Sequence, residues 1–280
     1  MKALDMPWKK LAIDIKDKVS HDNLFQGAAG LAFYAMLSLF PALIFLISAI
    51  GYLPLEGMRP AIMDFLHEAM PAEGASFLQG TVQRILGKGQ ADLVSFGILG
   101  AVSAASSGMY ATMLQLNRTY GVGEKRPFLK ARSTALLLTL CFGLLLVVAF
   151  LLIVLGGIAQ GWLLKEFGFG DAIRVTFSIV RWVIIFASLL FGFALVYYLG
   201  PNVKQKFKWF SPGSVSGVVL LVGASIGFRI YVMNFGNYDA MYGVLGTFIV
   251  LMLWLYICSV VLLLGSEINV VVEKHAPVIL

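Results

Sequence analysis

The sequence predicts an all-α, polytopic membrane protein with six transmembrane helices. Hydrophobic residues make up 59% of the 280 residues and charged residues only 13%, whereas an average soluble domain is about 25% charged. The apolar residues also fall into six long runs, and a helix needs roughly 20 such residues to cross about 30 Å of hydrocarbon. We therefore expect a helix bundle in lipid.

Six segments have the length of a transmembrane helix. They are 28–53, 92–117, 134–160, 176–199, 212–234 and 243–268. The second contains SFGILGAVSAASSGMYATML, whose small and hydroxyl residues suit close packing against neighbouring helices. The predicted organisation is a cytoplasmic amphipathic segment 1–27, a transmembrane domain 28–272 that includes the connection 54–91, and a cytoplasmic tail 273–280.

The placement of lysine and arginine predicts the orientation. The N-terminus, the tail and the loops 118–133 and 200–211 carry 14 of the 21 basic residues, and the three other connections carry five. The positive-inside rule then places both termini in the cytoplasm. The first 20 residues are charged rather than apolar, so no cleavable signal peptide is expected.

Two segments outside the spans have amphipathic patterns. In residues 4–19 the apolar positions recur at spacings of three and four, and four lysines are predicted to point mostly elsewhere; these are Lys9, Lys10, Lys16 and Lys18. This segment either lies in the membrane interface or is a solvated helix packed on the cytoplasmic loops. The connection 54–91 predicts two short amphipathic helices on the outer face, the first beginning near Pro60.

Arg181 and Arg229 are the clearest candidates for a binding site. Each lies inside a span, several residues from its outer end. A charge at that depth is costly unless it snorkels to the interface, pairs, or faces a polar cavity. Two guanidiniums could bind a phosphate or carboxylate. The alternative is that each arginine reaches the interface or pairs with Asp171 or Asp239.

Further candidates are polar groups or helix breaks in the spans. Pro41 predicts a kink in the first span, near Tyr34 and Ser38. Glu267, at the cytoplasmic end of the last span, is either a proton or cation relay or the partner of a juxtamembrane lysine or arginine. In the outer turn between the last two spans, Asn234, Asn237 and Tyr238 are candidate ligands and Gly243 a structural or gating position.

Signals for catalysis and metal binding are weak. Asp64, His67 and Glu68 could share one helix face, but on an outer surface helix they indicate solvated charge more often than a metal site. Cys141 and Cys258 lie in apolar runs and are predicted to be small buried hydrophobes. No Walker A, HExxH or GxSxG motif occurs in the sequence. We expect no enzyme activity, no cofactor and no metal.

Several motifs in order resemble the YihY/BrkB family of bacterial inner-membrane proteins. They are AFYAMLSLFPALIFLISAIGYLP, LNRTYGVGEKRPFLKAR, YYLGPN followed by SPGSVSG, and YVMNFGNYDAMYGVLGTFIVLMLWLYICSVVLLLGSEIN. The resemblance covers roughly residues 20–272 and implies six spans with cytoplasmic termini. Members of that family have carried the name ribonuclease BN. This sequence supports no such activity, because it has no metal-binding carboxylate cluster to cut a phosphodiester. Around Tyr238 the sequence departs from the family pattern at Asp239, Met241 and Val244.

The leading hypothesis is a transporter or flippase-like protein for a lipid or another amphiphilic anion. Arg181 and Arg229 would bind the anionic group, and the path would be lined by Tyr34, Ser38, Asn234, Asn237 and Tyr238. The rival is a non-transporting scaffold of an envelope complex, whose polar residues only join helices. The expected partners are membrane lipids, including an anionic lipid or amphiphile, and either a second copy of the chain or an envelope protein. Nucleic acid is not expected.

Overall fold

The computed structural model describes residues 8–51, 91–167, 171–235 and 244–275, whose regular secondary structure is all α-helix. The helices are α1 (Trp8–His21), α2 (Leu24–Gly51), α3 (Ala91–Thr119), α4 (Phe128–Phe167), α5 (Asp171–Leu199), α6 (Pro212–Phe235) and α7 (Val244–His275). The predicted outer-face helices of 54–91 and the candidate metal ligands Asp64, His67 and Glu68 lie outside the described residues.

Four described helices are long and apolar enough to cross a membrane. The qualifying segments are Phe128–Leu145, Ile179–Leu199, Pro212–Met233 and Phe248–His275. They correspond to the predicted third, fourth, fifth and sixth spans. The described apolar part of α2, Leu24–Leu39, is shorter, and α3 is not among the four. A membrane protein with several spans is therefore supported by length and composition.

Several helices extend beyond the predicted spans. α4 has 40 residues, about 60 Å at 1.5 Å per residue, so it is longer than the hydrocarbon layer is thick. α2 begins at Leu24 rather than 28, and α7 ends at His275, beyond the start of the predicted tail. The apolar pattern predicts only the part of a helix that lipid can cover, and hydrogen bonding continues past it.

Local signals end and begin these helices. After α3, Gly121 has φ 64°, and Val122 N donates to the Asn117 carbonyl at 2.9 Å, the pairing of a glycine-terminated helix. Before α6, Ser211 Oγ accepts from Ser214 N at 3.0 Å and Ser211 N donates to Ser214 Oγ at 3.0 Å. This reciprocal cap precedes Pro212 at the first helical position, where its missing N–H costs nothing.

The chain divides into two compact units, and the first comprises Met1–Leu24, Thr112–Leu220 and Val261–Leu280. Its core is apolar, with fully buried Met113, Leu116, Leu138 and Leu263. In it α4 packs on α5, where Gly192 lies against the Phe142 ring. The connection 200–211 adds aromatic rings, since Trp209 stacks near Phe191 with centroids 5.1 Å apart.

Within the first unit, α6 and α7 approach closely at two glycines. A Cβ on Gly213 would overlap the Gly265 carbonyl and the Asn269 side chain. Gly213 N donates to Asn269 Oδ1 at 2.6 Å. A Cβ on Gly265 would overlap the Tyr197 hydroxyl, which donates to the Leu262 carbonyl at 2.7 Å. Larger residues at either glycine would separate the helices.

The second unit comprises Phe25–Ala111 and Leu221–Val260. A Cβ on Gly108 of α3 would lie 3.0 Å from Tyr34 Cβ of α2, so this small residue permits a close approach, as the composition of α3 predicted. Ser106 and Ser107 donate to the Ser103 carbonyl of their own helix at 3.0 and 2.9 Å. On α6 and α7, the Phe228 and Trp254 rings lie 5.0 Å apart.

The prediction for the lysines of α1 was wrong at one position. Lys9, Lys10 and Lys16 are exposed, but Lys18 is partly buried. Positions 11, 14, 15 and 18 follow the i, i+3, i+4, i+7 spacing of one helix face, so Lys18 lies on the same side as Leu11 and Ile15. Its charge is neutralised by acidic groups, which the apolar pattern alone could not indicate.

Candidate functional site

A cluster of charged and polar groups, buried at Glu267 and exposed at His21, lies in the first unit. We call it the Glu267 cluster; its members are Lys18, His21, Asp22, Thr119 and Glu267. Glu267 is 1% exposed, although an ionised carboxylate is among the costliest groups to bury. Its burial marks the place where charge must be compensated by neighbouring groups.

Lys18 lies between two carboxylates. Its Nζ is 2.6 Å from Asp22 Oδ2 and 3.4 Å from Glu267 Oε2. Thr119 Oγ1 donates to Glu267 Oε1 at 3.0 Å. The end of α1, the end of α3 and the last third of α7 therefore meet through polar side chains. This is the pairing with a juxtamembrane lysine that was one of the two interpretations of Glu267.

Asp22 is placed by the turn that ends α1. Asp22 N donates to the Lys18 carbonyl at 2.9 Å, and the next residue, Asn23, has φ 51°, a left-handed conformation that asparagine tolerates. Burial raises the pKa of Asp22, but the hydrogen bonds of Lys18 and His21 to its carboxylate outweigh that effect and lower the pKa overall. Asp22 is therefore the ionised partner of Lys18.

His21 connects the cluster to solvent. Its Nδ1 lies 2.8 Å from Asp22 Oδ1, and its side chain is 86% exposed. An open cleft of about 460 Å³ lies beside it. The cleft, called the α1–α7 cleft below, is lined by Asp14, Asp17, Lys18, His21, Thr119, Tyr120, Gly121, Val270, Val271, Lys274 and His275. Lys18 and Thr119 thus line the cleft and also contact the buried Glu267.

A second polar network lies at the end of α3 and centres on Arg126. Its guanidinium donates to Glu124 at 2.8 and 2.7 Å and to the carbonyls of Leu199 and Gly200 at 3.1 and 2.8 Å. Asn117 donates to Glu124 at 2.9 Å and accepts from Asn202 N at 2.6 Å. The pKa of Glu124 is lowered, chiefly by the side-chain hydrogen bonds from Arg126. This network fixes the 120–127 loop to the end of α5.

Within the described residues no three His, Cys, Asp or Glu side chains group as metal ligands do. The polar groups of the Glu267 cluster instead alternate between basic and acidic side chains, from His21 through Asp22 and Lys18 to Glu267. Such an arrangement can hold and exchange a proton.

Comparison with known proteins identifies the family. The model of the family described as Virulence factor BrkB matches residues 15–278. The chain belongs to the BrkB family. The putative ribonuclease-like protein YfkH of Bacillus subtilis is 34% identical to this BrkB family member over 93% of the chain and 95% of the relative.

Other relatives carry names that state only a membrane location. A UPF0761 membrane protein of Aliivibrio salmonicida is 27% identical over 91% of this BrkB chain and 80% of its own length. One of Pseudoalteromonas translucida is 26% identical over 91% and 83%. No solved structure matches the chain. Together with the apolar helices, these relatives support a multi-pass membrane protein.

The predicted anion-binding arginines of this BrkB protein lie in two units. Arg181 is half-buried on α5 in the first unit, and Arg229 is exposed on α6 in the second. Among the described residues, no salt bridge joins either arginine to an acid. Of their predicted partners, Asp239 and the side chain of Asp171 lie outside the description.

The remaining predicted site residues are described only in part. Tyr34 and Ser38 are half-buried on α2, and Ser38 Oγ donates to the Ala35 carbonyl at 2.8 Å. Pro41 lies within α2 and Asn234 within α6, but the structure does not describe their side chains. Asn237, Tyr238 and Gly243 lie outside the described residues. Their roles stay predictions.

Asp22 and Thr119 were missed by the sequence reasoning. Both lie outside the apolar runs, and they are joined to Glu267 only through packing between helices far apart in sequence. The sequence signal for such neighbours was Glu267 itself, because an acid inside an apolar run needs a cation or a hydrogen-bond donor from another helix.

Proposed function

We propose that this BrkB family member is a transport protein of the bacterial cytoplasmic membrane that moves a lipid or another amphiphilic anion. The observation that carries the proposal is the position of Arg181 and Arg229. They lie inside Ile179–Leu199 and Pro212–Met233, two segments apolar enough to cross a membrane. Intramembrane charges are retained chiefly where they bind or move something.

The two arginines lie at similar distances from the connection 200–211. Arg181 is 18 residues before Leu199, and Arg229 is 17 residues after Pro212. At 1.5 Å per residue, each is about 26 Å along its helix from that connection. A guanidinium at this depth suits the phosphate of a lipid headgroup, which it binds bidentately.

The proposal includes six spans, α2 to α7, with both termini in the cytoplasm. Each of these helices has 24 residues or more, which is at least about 36 Å and supports a crossing. The lysine-rich connection 200–211 and the loop 118–133 lie on the proposed cytoplasmic side. Trp209 and Phe210 are exposed there, as interfacial aromatic residues are.

Reconstitution in vesicles tests the transport proposal. Movement of fluorescent phosphatidylglycerol between leaflets is compared for the wild type, Arg181→Gln, Arg229→Gln and the double variant. A hydrogen bond to a charged group is worth about 1.5–3 kcal/mol, so each variant should lose about tenfold or more in rate. Lys204→Gln is the matched control, because Lys204 is an exposed lysine of the connection 200–211.

Unchanged lipid movement in the double variant would remove this mechanism. A wild-type rate no higher than that of protein-free vesicles would remove transport of this lipid. The proposal assigns no catalysis to the chain; incubation of purified protein with RNA and a divalent metal tests the activity that the name of the Bacillus relative suggests.

The second candidate is a membrane scaffold for an envelope complex. The observation that favours it is the Arg126 network, which joins the 120–127 loop and the end of α3 to the end of α5 within the first unit. A scaffold would retain partner binding in the Arg181→Gln and Arg229→Gln variants and would show no lipid movement. Co-purification from native membranes with quantitative mass spectrometry, alongside the vesicle assay, separates the two functions.

A further inference from the structure

The Glu267 cluster forms a continuous series of polar contacts from solvent to a buried acid. It begins at His21, whose side chain is 86% exposed, and passes to Asp22 over 2.8 Å. Lys18 follows over 2.6 Å, and Glu267 after 3.4 Å. Each contact joins a group that can donate a proton to one that can accept it. The series therefore connects the α1–α7 cleft to Glu267 through polar side chains.

The charges of this series do not balance. Lys18 contributes one positive charge, and Asp22 and Glu267 contribute two negative charges when both are ionised. Glu267 Oε2 is buried and, within the described residues, accepts no hydrogen bond of good geometry, Lys18 Nζ being 3.4 Å away. A buried charged oxygen in that condition is unstable. One further positive charge would neutralise the site.

We infer that Glu267 is a proton-binding site that takes up a proton from the α1–α7 cleft through His21, Asp22 and Lys18. In the net step, a hydronium ion in the cleft gives one proton to His21 and becomes water, and His21 passes a proton to Asp22 Oδ1. Lys18 then gives one ammonium proton to Glu267 Oε2 and is reprotonated by Asp22. Lys18 ends as the ammonium it was at the start. The only change is one carboxylate neutralised.

A proton fits this site better than a metal cation. The Lys18 ammonium occupies the position next to Oε2, and at that distance it would repel a second cation. Thr119 already donates to the other oxygen, Oε1. Oε2 accepts no hydrogen bond within the described residues, so it can take up a proton without any rearrangement of ligands.

Other titratable groups around the cleft carry both signs. They are Asp14, Asp17 and His21 of α1, Tyr120 after α3, and Lys274 and His275 of α7. His275 Nε2 lies 3.3 Å from Asp14 Oδ2, and burial raises the pKa of Tyr120, which keeps this phenol neutral. These groups shift the pH at which Glu267 takes up its proton without providing a second buried acceptor among the described residues.

The inference is independent of lipid transport. It concerns the equilibrium between the cleft and one carboxyl group, so it is tested on purified protein with no substrate or membrane gradient. Failure of the vesicle assay would leave it standing, and its own failure would leave lipid transport standing.

Infrared difference spectroscopy of the full-length protein in nanodiscs tests the inference directly. A protonated carboxyl group has a C=O stretching band that ionised carboxylates lack and that shifts in D₂O. The wild type should show one such band that disappears reversibly on alkalinisation, and Glu267→Gln should lose it. Asp14→Asn is the matched control, because Asp14 lines the same cleft but lies outside the series, and it should keep the band.

Variants of the neighbours keep the inference testable if Glu267→Gln does not fold. In Lys18→Gln the midpoint of the band should move to higher pH, and in Asp22→Asn to lower pH, because each removes a charge beside Glu267. His21→Ala should slow the appearance of the band after a pH jump and should move the midpoint less than Lys18→Gln and Asp22→Asn do.

A band that persists unchanged in Glu267→Gln, or a midpoint unmoved in both charge variants, would overturn the assignment. A band suppressed by added Na⁺ at constant pH would show that a metal cation, not a proton, neutralises the site.

Discussion

Thr119, the last residue of α3, donates a hydrogen bond of 3.0 Å to Glu267 of α7, 148 residues later in the chain. Both side chains are buried, at 3% and 1% exposure. The bond therefore joins two helices through buried side chains, where an unmade bond is costly. It makes Thr119 a positioning residue for the buried acid.

Thr119→Val should lower stability measurably. The substitution keeps the shape and removes the donor to Glu267 Oε1, which costs about 1–3 kcal/mol for a buried acceptor left without its partner. Thermal unfolding of the purified protein, followed by tryptophan fluorescence, measures the change. Thr139→Val is the matched control, since Thr139 donates to the Ala135 carbonyl of its own helix at 2.8 Å and contacts no acid among the described residues. Equal losses in the two variants would contradict a special contribution of Thr119.

Lys18 and Glu267 should be energetically coupled. Lys18→Met leaves two carboxylates without their cation and should cost about 3–5 kcal/mol at mildly alkaline pH. In the double variant with Glu267→Gln the cost should be smaller than the sum of the two single changes by about 0.5–3 kcal/mol. Chemical unfolding of the four proteins of this cycle gives the coupling.

Lys208 and Glu273, an exposed pair 3.0 Å apart, form the control cycle, where coupling should be about 0–1 kcal/mol. Additive effects at Lys18 and Glu267 would show that the 3.4 Å separation carries no interaction.

Gly213→Ala should destabilise the first unit. The added methyl group would meet the Gly265 carbonyl and the Asn269 side chain, and overpacking of this kind costs about 1–3 kcal/mol. Gly143→Ala on α4 should have the opposite sign, because nothing lies within 4 Å of its Cβ and alanine favours a helix by about 0.5–1 kcal/mol. Thermal unfolding of both variants measures the difference. A neutral Gly213→Ala would mean that α6 and α7 separate at little cost.

The sequence predicted the helical class, the family and the approximate positions of the four apolar spans, because long apolar runs have few alternatives in lipid. It also indicated Glu267, because a charge inside an apolar segment is costly and needs a partner. It did not predict Asp22 or Thr119 as neighbours of Glu267. Both lie in polar stretches where a charged or hydroxyl residue is ordinary, and only the packing of α1 and α3 against α7 makes them part of one cluster. The direction of Lys18 was predicted wrongly because helical periodicity was applied to apolar positions alone.

The contribution of Glu124 to stability should depend on pH. Hydrogen bonds from Arg126 lower the pKa of Glu124 most in the folded protein, and a hydrogen bond from Asn117 adds to this. An unfolded glutamate titrates at about pH 4.3. A lowered folded pKa means that the unfolded state binds the proton more readily. The stabilisation is therefore complete above about pH 4.3 and is lost as the pH falls through the lower folded pKa.

The measurement is the difference in melting temperature between the wild type and Glu124→Gln across the acidic range. It should be largest near neutrality and shrink on acidification. A Glu124→Gln difference that grows as the pH falls would reverse the sign and show that Arg126 does not stabilise the ionised form.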